Sequence, residues 1–184
     1  MAIRRLAASE RRASPWKNGG GVTREIAAFP EGASLDAFDW RISMAEVAAA
    51  GPFSRFEGID RVLTVLAGEL ELSFPGEASS VTLGSGSEPF AFPGDSDCAG
   101  APRGGPVTDF NVMVRRGSMR AEVRRVADEA PLTVRGEALL VLALEAGSLD
   151  GRRLEPFDAV LADHGETLTP EGGFRLLVVD LYRE

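Results

Sequence analysis

The chain has 184 residues, 44% of them hydrophobic, and a formal net charge of −8 at pH 7. That length buries one sizeable core or two small fused ones, and the acidic balance argues against a surface that neutralises phosphates, so no nucleic-acid partner is expected. No apolar run is long enough to span a bilayer, and the opening MAIRRLAASERRA lacks an apolar stretch of signal-peptide length, so no membrane partner and a cytoplasmic location are expected.

Short apolar or alternating runs follow one another from the N-terminus: VTREIAAF, FDWRISMAEV, RVLTVLAGELELSF, SSVTLG, FAFPG and DFNVMVRRG, then AEVRRV, LTVRG, ALLVLALEAG, DAVLAD, ETLTP and FRLLVVDLYR. Gly, Pro, Ser and Asp separate them at short intervals, which predicts an all-β chain built as a sandwich or barrel with little helix. One stretch, SMAEVAAAG, carries helix-favouring Ala and Glu but ends at Gly51-Pro52, and reads either as a turn or two of helix or as a strand ending in a loop. The tripeptide Glu-Pro-Phe occurs at 88–90 and again at 155–157, each time after an apolar strand and a turn. Tandem β-barrels are therefore expected, an N-terminal half over 1–120 with the ligand pocket and a smaller half over 121–184. The division is placed near residues 117–132, where GSMRAEVRRVADEAP is a candidate strand crossing between halves, and the N-terminal strand is a candidate to pair into the second half.

Residues 53–72, FSRFEGIDRVLTVLAGELEL, have the spacing of the first metal-binding motif of a cupin β-barrel: two histidines one residue apart, a glutamate after four more, then six residues and a glycine. Here those positions hold Ser54, Phe56, Arg61 and Gly68. The looser second motif falls on GSEPFAFPGDSD, with Gly86 and Gly94 at its glycines, Phe92 in place of its proline and Asp97 in place of its histidine. A metal needs several imidazole or carboxylate donors converging on one point, and Arg61 is a permanent cation that repels a divalent ion; no metal and no cofactor are expected. An inward Arg61 reverses the charge of the pocket and suits a carboxylate gripped by the guanidinium fork. It would share a face with Leu63 and Val65 over an apolar floor, and such burial needs an anionic partner: a bound ligand, or an acid such as Asp97 or Glu25. The alternative is an Arg61 reaching solvent or pairing with Asp60 or Glu57 at a barrel rim, with Phe56 as ordinary core. Spacing alone leaves both open.

Other candidates surround this motif. Trp16-Lys17-Asn18 stands before Gly19-Gly20-Gly21 and offers an apolar plate, an ammonium and an amide on one loop; Lys17 is the one lysine among 20 basic residues. The loop either closes over an anion or merely turns into the next strand. If DFNVM is a strand, Asp109, Asn111 and Met113 share a face, and Asn111 either orients a ligand or satisfies an edge strand. Cys98 is the one cysteine, which excludes an internal disulfide. His164, the one histidine, and Cys98 are left unassigned. No nucleophile elbow, zinc-protease helix or phosphate loop is present, so no catalytic residue is named.

PWKNGGGVTREI at 15–26, WRISMAEVAAAGPFSRFEGIDR at 40–61 and DFNVMVRRG at 109–117 together resemble the HutD/Ves family of small bicupins, over roughly the first two thirds of the chain. The resemblance implies two cupin barrels and a link to bacterial histidine utilisation, with a regulatory pocket for formylglutamate or urocanate; Ves-like members are linked instead to stress or cold. Both metabolites carry carboxylates, so the expected partner is a small carboxylate metabolite, bound through Arg61, Lys17, Asn18, Trp16, Asn111, Ser54 and Phe56. Two further classes remain open: a cofactor-free isomerase or hydrolase using Lys17 or Glu25 for proton transfer with Arg61 on an oxyanion, and a scaffold whose edge strands pair in a homodimer.

Overall fold

The computed structural model describes residues 2–77 and 79–184, and among these the chain is β throughout apart from one 3-10 turn at Ala8–Glu10. Among the described residues no helix is long and apolar enough to cross a membrane. In chain order the first strands are β1 (Ile3–Leu6), β2 (Ala13–Pro15), β3 (Gly21–Phe29), β4 (Trp40–Val47), β5 (Gly51–Pro52) and β6 (Ile59–Ser73). Next come β7 (Val81–Gly84), β8 (Phe90–Pro93), β9 (Ala99–Arg115), β10 (Met119–Val126), β11 (Leu132–Thr133) and β12 (Ala138–Ala143). The last are β13 (Gly147–Leu149), β14 (Arg152–Leu154), β15 (Ala159–Asp163), β16 (Thr167–Leu168), β17 (Pro170–Glu171) and β18 (Leu176–Arg183). They fall into two compact units, Arg12–Ser118 and the residues up to Arg11 together with Met119–Glu184.

In the unit Arg12–Ser118 the sheet runs β2-β3-β4-β9-β6-β7, with β5 paired to β9 and β8 paired to β6. SMAEVAAAG resolves into the end of strand β4 and a loop: β4 is hydrogen-bonded on both sides, to β3 and to β9, and this sheet pairing overrides the helix preference of Ala and Glu. The amides of Ala48 and Ala49, just past the strand, donate to the carbonyl of Gly20. β6 and β9 are long strands that shift register between Val65 and Ala67 and again between Ala67 and Glu69, bulges that bend a strand and increase its twist. Val47, Leu63, Val65, Leu70, Leu72 and Val107 belong to one apolar cluster of this unit, together with Phe92 and Cys98.

The other unit is built on the sheet β1-β15-β12-β18-β10. β12 and β18 are buried along nearly their whole length, so they read as continuous apolar runs rather than alternating ones. Its core includes Leu139, Val141, Leu154, Val160, Phe174 and Val178. The stretch 117–131 supplies β10, paired with β18 from Met119 to Val126. β1 pairs with β15, from Ile3 opposite Ala162 to Leu6 opposite Ala159. Next to that pairing the buried carboxylate of Asp158 accepts from Arg5 Nη2 at 2.5 Å, the Ala8 amide at 2.8 Å and the Glu155 amide at 3.1 Å.

Candidate functional site

The unit Arg12–Ser118 contains a cavity of about 550 Å³. Pairing register decides what reaches it. Arg41 and Arg61 lie opposite Met113, Ser43 lies opposite Asn111, and Ala45 lies opposite Asp109. In antiparallel strands, opposed residues project to the same side of the sheet. Asp109, Asn111 and Met113 therefore form a row along β9, flanked by Arg41, Ser43 and Ala45 from β4 and by Arg61 from β6, and all of these line the cavity.

Arg61 is 7% exposed. Its Nη2 donates to Asn111 Oδ1 at 2.7 Å, while its Nε is buried with no acceptor. Three phenylalanines surround the guanidinium carbon, with ring centroids at 5.1 Å (Phe92), 5.4 Å (Phe53) and 5.9 Å (Phe56). Their faces attract a cation but hydrogen-bond none of its protons. Burial pulls the Arg61 pKa down, opposed by the charge of Asp109, while the nearby Arg41 lowers it further. Glycine at 94 lets the arginine stem pass: a Cβ there would lie 2.9 Å from the Ile59 carbonyl oxygen and 3.2 Å from Arg61 Cγ.

Asp109 is 1% exposed and accepts from Asn111 Nδ2 at 2.5 Å. Asn111 thus joins the guanidinium to the carboxyl, accepting from one and donating to the other. Burial raises the Asp109 pKa to about 7, against the opposing pull of Arg61 and of the Asn111 hydrogen bond.

The mouth of the cavity is formed by loops. Trp16 Nε1 donates to Thr23 Oγ1 at 2.8 Å, and Asn18 Oδ1 accepts the Gly20 amide at 3.0 Å, which closes the turn. Glycine at 21 is required by close approach, since a Cβ there would lie 2.4 Å from the Glu46 carbonyl oxygen and 3.0 Å from the Trp16 ring. Lys17 and Asn18 are exposed and Trp16 is half-buried, its ring edge-on to Phe53 with centroids 6.4 Å apart. Ser54 and Phe56 contribute from the segment between β5 and β6, and Leu35 from the loop between β3 and β4.

The seven residues singled out from the sequence thus meet around one cavity. Several companions differ from expectation. The acid tied to Arg61 is Asp109, through Asn111, and neither Asp97 nor Glu25: Asp97 pairs with Arg55 at 3.4 Å, and Glu25 takes Arg41 Nε at 2.8 Å. Glu25 does not line the cavity. The rim pairing considered for Arg61 is also absent, because Asp60 binds Arg116 and Glu57 binds Arg55. Arg41, Phe53 and Ser43 were not anticipated; reading WRISMAEV as a strand places Arg41, Ser43 and Ala45 on one face and would have found two of them. His164 lies in the other unit, its Nδ1 2.8 Å from the Gly136 carbonyl oxygen. Cys98 is buried, and burial raises its thiol to about 11. A divalent ion does not fit this donor set: two guanidiniums, an ammonium and one carboxyl line the cavity, and among the described residues no group of three or more His, Cys, Asp or Glu side chains is arranged to hold one.

The HutD family profile matches residues 8–177. The chain belongs to the HutD family. A protein of Pseudomonas putida, described as an uncharacterized 21.2 kDa protein in the hutC 3' region, is 34% identical over 175 residues, 91% of this chain and 90% of that one. Protein Ves of Escherichia fergusonii is 41% identical over 132 residues, 70% of this chain and 66% of Ves. HutD from Pseudomonas fluorescens SBW25, solved in a formate condition, superimposes over 100% of both chains with a TM-score of 0.89 at 30% identity. A conserved protein of unknown function from Pseudomonas aeruginosa PAO1 superimposes with a TM-score of 0.86 at 33% identity, over 99% of this chain and all of that one. The bacterial pirin YhhW of Escherichia coli, at TM-score 0.66 and 10% identity, shares the fold alone. This HutD-family chain has an all-β, bicupin fold.

Proposed function

We propose that the cavity of the unit Arg12–Ser118 binds a small carboxylate metabolite without a metal, in a regulatory role in histidine utilisation. The observation that carries this reading is the buried Arg61 guanidinium, with one nitrogen given to the neutral Asn111 and Nε without an acceptor. A buried cation left short of acceptors is costly, and an anion in the cavity offsets that cost. Arg41 and Lys17 add positive charge to the same lining, against the single carboxyl of Asp109. The phenylalanines around Arg61 exclude water and strengthen its field. The place of the Pseudomonas putida relative in the hutC 3' region favours a carboxylate of histidine breakdown, and formylglutamate and urocanate are the compounds to try first.

Thermal unfolding with each compound tests this. A ligand at a hundred times its Kd adds about 2.7 kcal/mol, a rise of roughly 5–10 °C in Tm for a chain of this size. Arg61→Ala should fold and show no such rise. Failure of every carboxylate to raise Tm, or a rise retained by Arg61→Ala, rejects the reading. Turnover of a stabilising compound would assign an enzyme in its place.

A further inference from the structure

The floor of the cavity holds more than a cation. Arg61, Asn111 and Asp109 form a connected set in which one guanidinium serves one buried carboxyl through one amide. A carboxylate ligand that takes Arg61 brings a second negative charge to a site where the first is 1% exposed. It also displaces water from the cavity. Both effects act against an ionised Asp109.

We propose that the cavity takes up its carboxylate together with one proton, and that Asp109 receives that proton. This rests on the carboxylate reading above and adds its regulation by pH. Elimination leaves Asp109 as the acceptor. The charged groups sharing its cavity are Arg61 from β6, Arg41 from β4 and Lys17 from the loop before β3, cationic side chains that donate hydrogen bonds and offer no acceptor for a proton. β8 offers Phe92 to Arg61, and the segment before β6 offers Phe53, Ser54 and Phe56, none of which titrates. Glu25 on β3 is held by Arg41 and does not line the cavity. Cys98 interacts with Arg61, but burial holds its thiol protonated, with a pKa of about 11. Among the described residues Asp109 is the one carboxyl in the lining, and burial has already brought its pKa to about 7. A bound anion pushes it further up.

The sign follows from linkage. The protonated form of Asp109 binds the anion better, so affinity falls as pH rises above the value of the empty site, by up to about tenfold per pH unit, until the value of the occupied site is reached. The test is calorimetric titration of the full chain with N-formyl-L-glutamate, whose own groups do not titrate near neutrality. It is run at about pH 8, on the alkaline side of Asp109, in two buffers of different ionisation heat. Wild type should take up a substantial fraction of one proton per site and bind roughly tenfold more weakly than at about pH 6. Asp109→Asn should bind with no uptake and with equal affinity at both pH values. Binding by wild type without uptake, or equal uptake by Asp109→Asn, overturns this inference and leaves the carboxylate reading standing. No heat with wild type from N-formyl-L-glutamate or from any other carboxylate tried in the thermal unfolding removes the carboxylate reading, and this inference with it. The two-buffer comparison on wild type decides the matter even if Asp109→Asn fails to fold, and Asp109→Ser is a second variant.

Discussion

Burial treats Arg61 and Asp109 in opposite ways. The arginine keeps its charge because its pKa starts so high, whereas the carboxyl is raised from 3.8 to about 7. A carboxyl whose pKa is raised on folding contributes stability that is complete below the unfolded value and is lost as pH rises through the folded one. The window therefore runs from about 4 to about 7, and at about 1.4 kcal/mol for each factor of ten the loss is on the order of 4 kcal/mol at most. Asp109→Asn, neutral throughout, should gain on wild type steadily across that window and hold its advantage above it. Urea unfolding of both proteins over that range measures this; parallel curves would show that Asp109 stays ionised. At this scale the sequence revealed the cation but not its companion. A spacing motif points to position 61, yet the acid that reaches it depends on a strand pairing that sets Asn111 opposite Leu63, with 47 residues between them in the chain. Asp97 and Glu25 are nearer than Asp109 to Arg61 in sequence and are tied elsewhere in space.

Strands, rather than loops, set the depth of the site. The alternation of β4 and β9 fixes two rows of side chains facing the cavity, to which β6 adds Arg61, and this part is readable from period-2 patterning. The sequence of β4 is ambiguous because Ala and Glu favour helix, and pairing on both sides overrides that preference. The two glycines of the second motif separate by element. Gly94 follows β8 closely, its amide donating to the Ile59 carbonyl oxygen at 2.7 Å, and a side chain there meets backbone and the Arg61 stem. Gly86 lies in the exposed turn after β7, with nothing within 4 Å of a Cβ placed there. Gly94→Ala should cost about 1–3 kcal/mol through overpacking and weaken the ligand-induced rise in Tm by displacing Arg61, while Gly86→Ala should change neither by more than about 0.5 kcal/mol. Thermal unfolding of both variants with and without ligand checks this, and equal behaviour would remove Gly94 from the account.

For the whole molecule, the chain begins in one unit and passes directly to the other. β1 covers the edge of β15, and the same segment supplies two of the three recorded donors to Asp158. Burial acts to raise Asp158, but Arg5 and the amides of Ala8 and Glu155 together hold it below the ordinary carboxylate value. Arg5 is itself 47% exposed, so solvent screens most of its charge. The Ala8 amide, bonded to a buried carboxylate, contributes more. Removing residues 2–11 leaves β15 as an unpaired edge and Asp158 with the Glu155 amide. Loss of the charged hydrogen bond from the Ala8 amide alone should cost about 1.5–3 kcal/mol. Local stability, not the cavity, should register it. Amide hydrogen exchange should accelerate in Ala159–Asp163, whose outer hydrogen bonds are gone, while β6 and β9 in the unit Arg12–Ser118 keep wild-type protection. Unchanged exchange in β15 would mean that β1 contributes no stability, and equal acceleration in β6 and β9 would mean that the two units open as one.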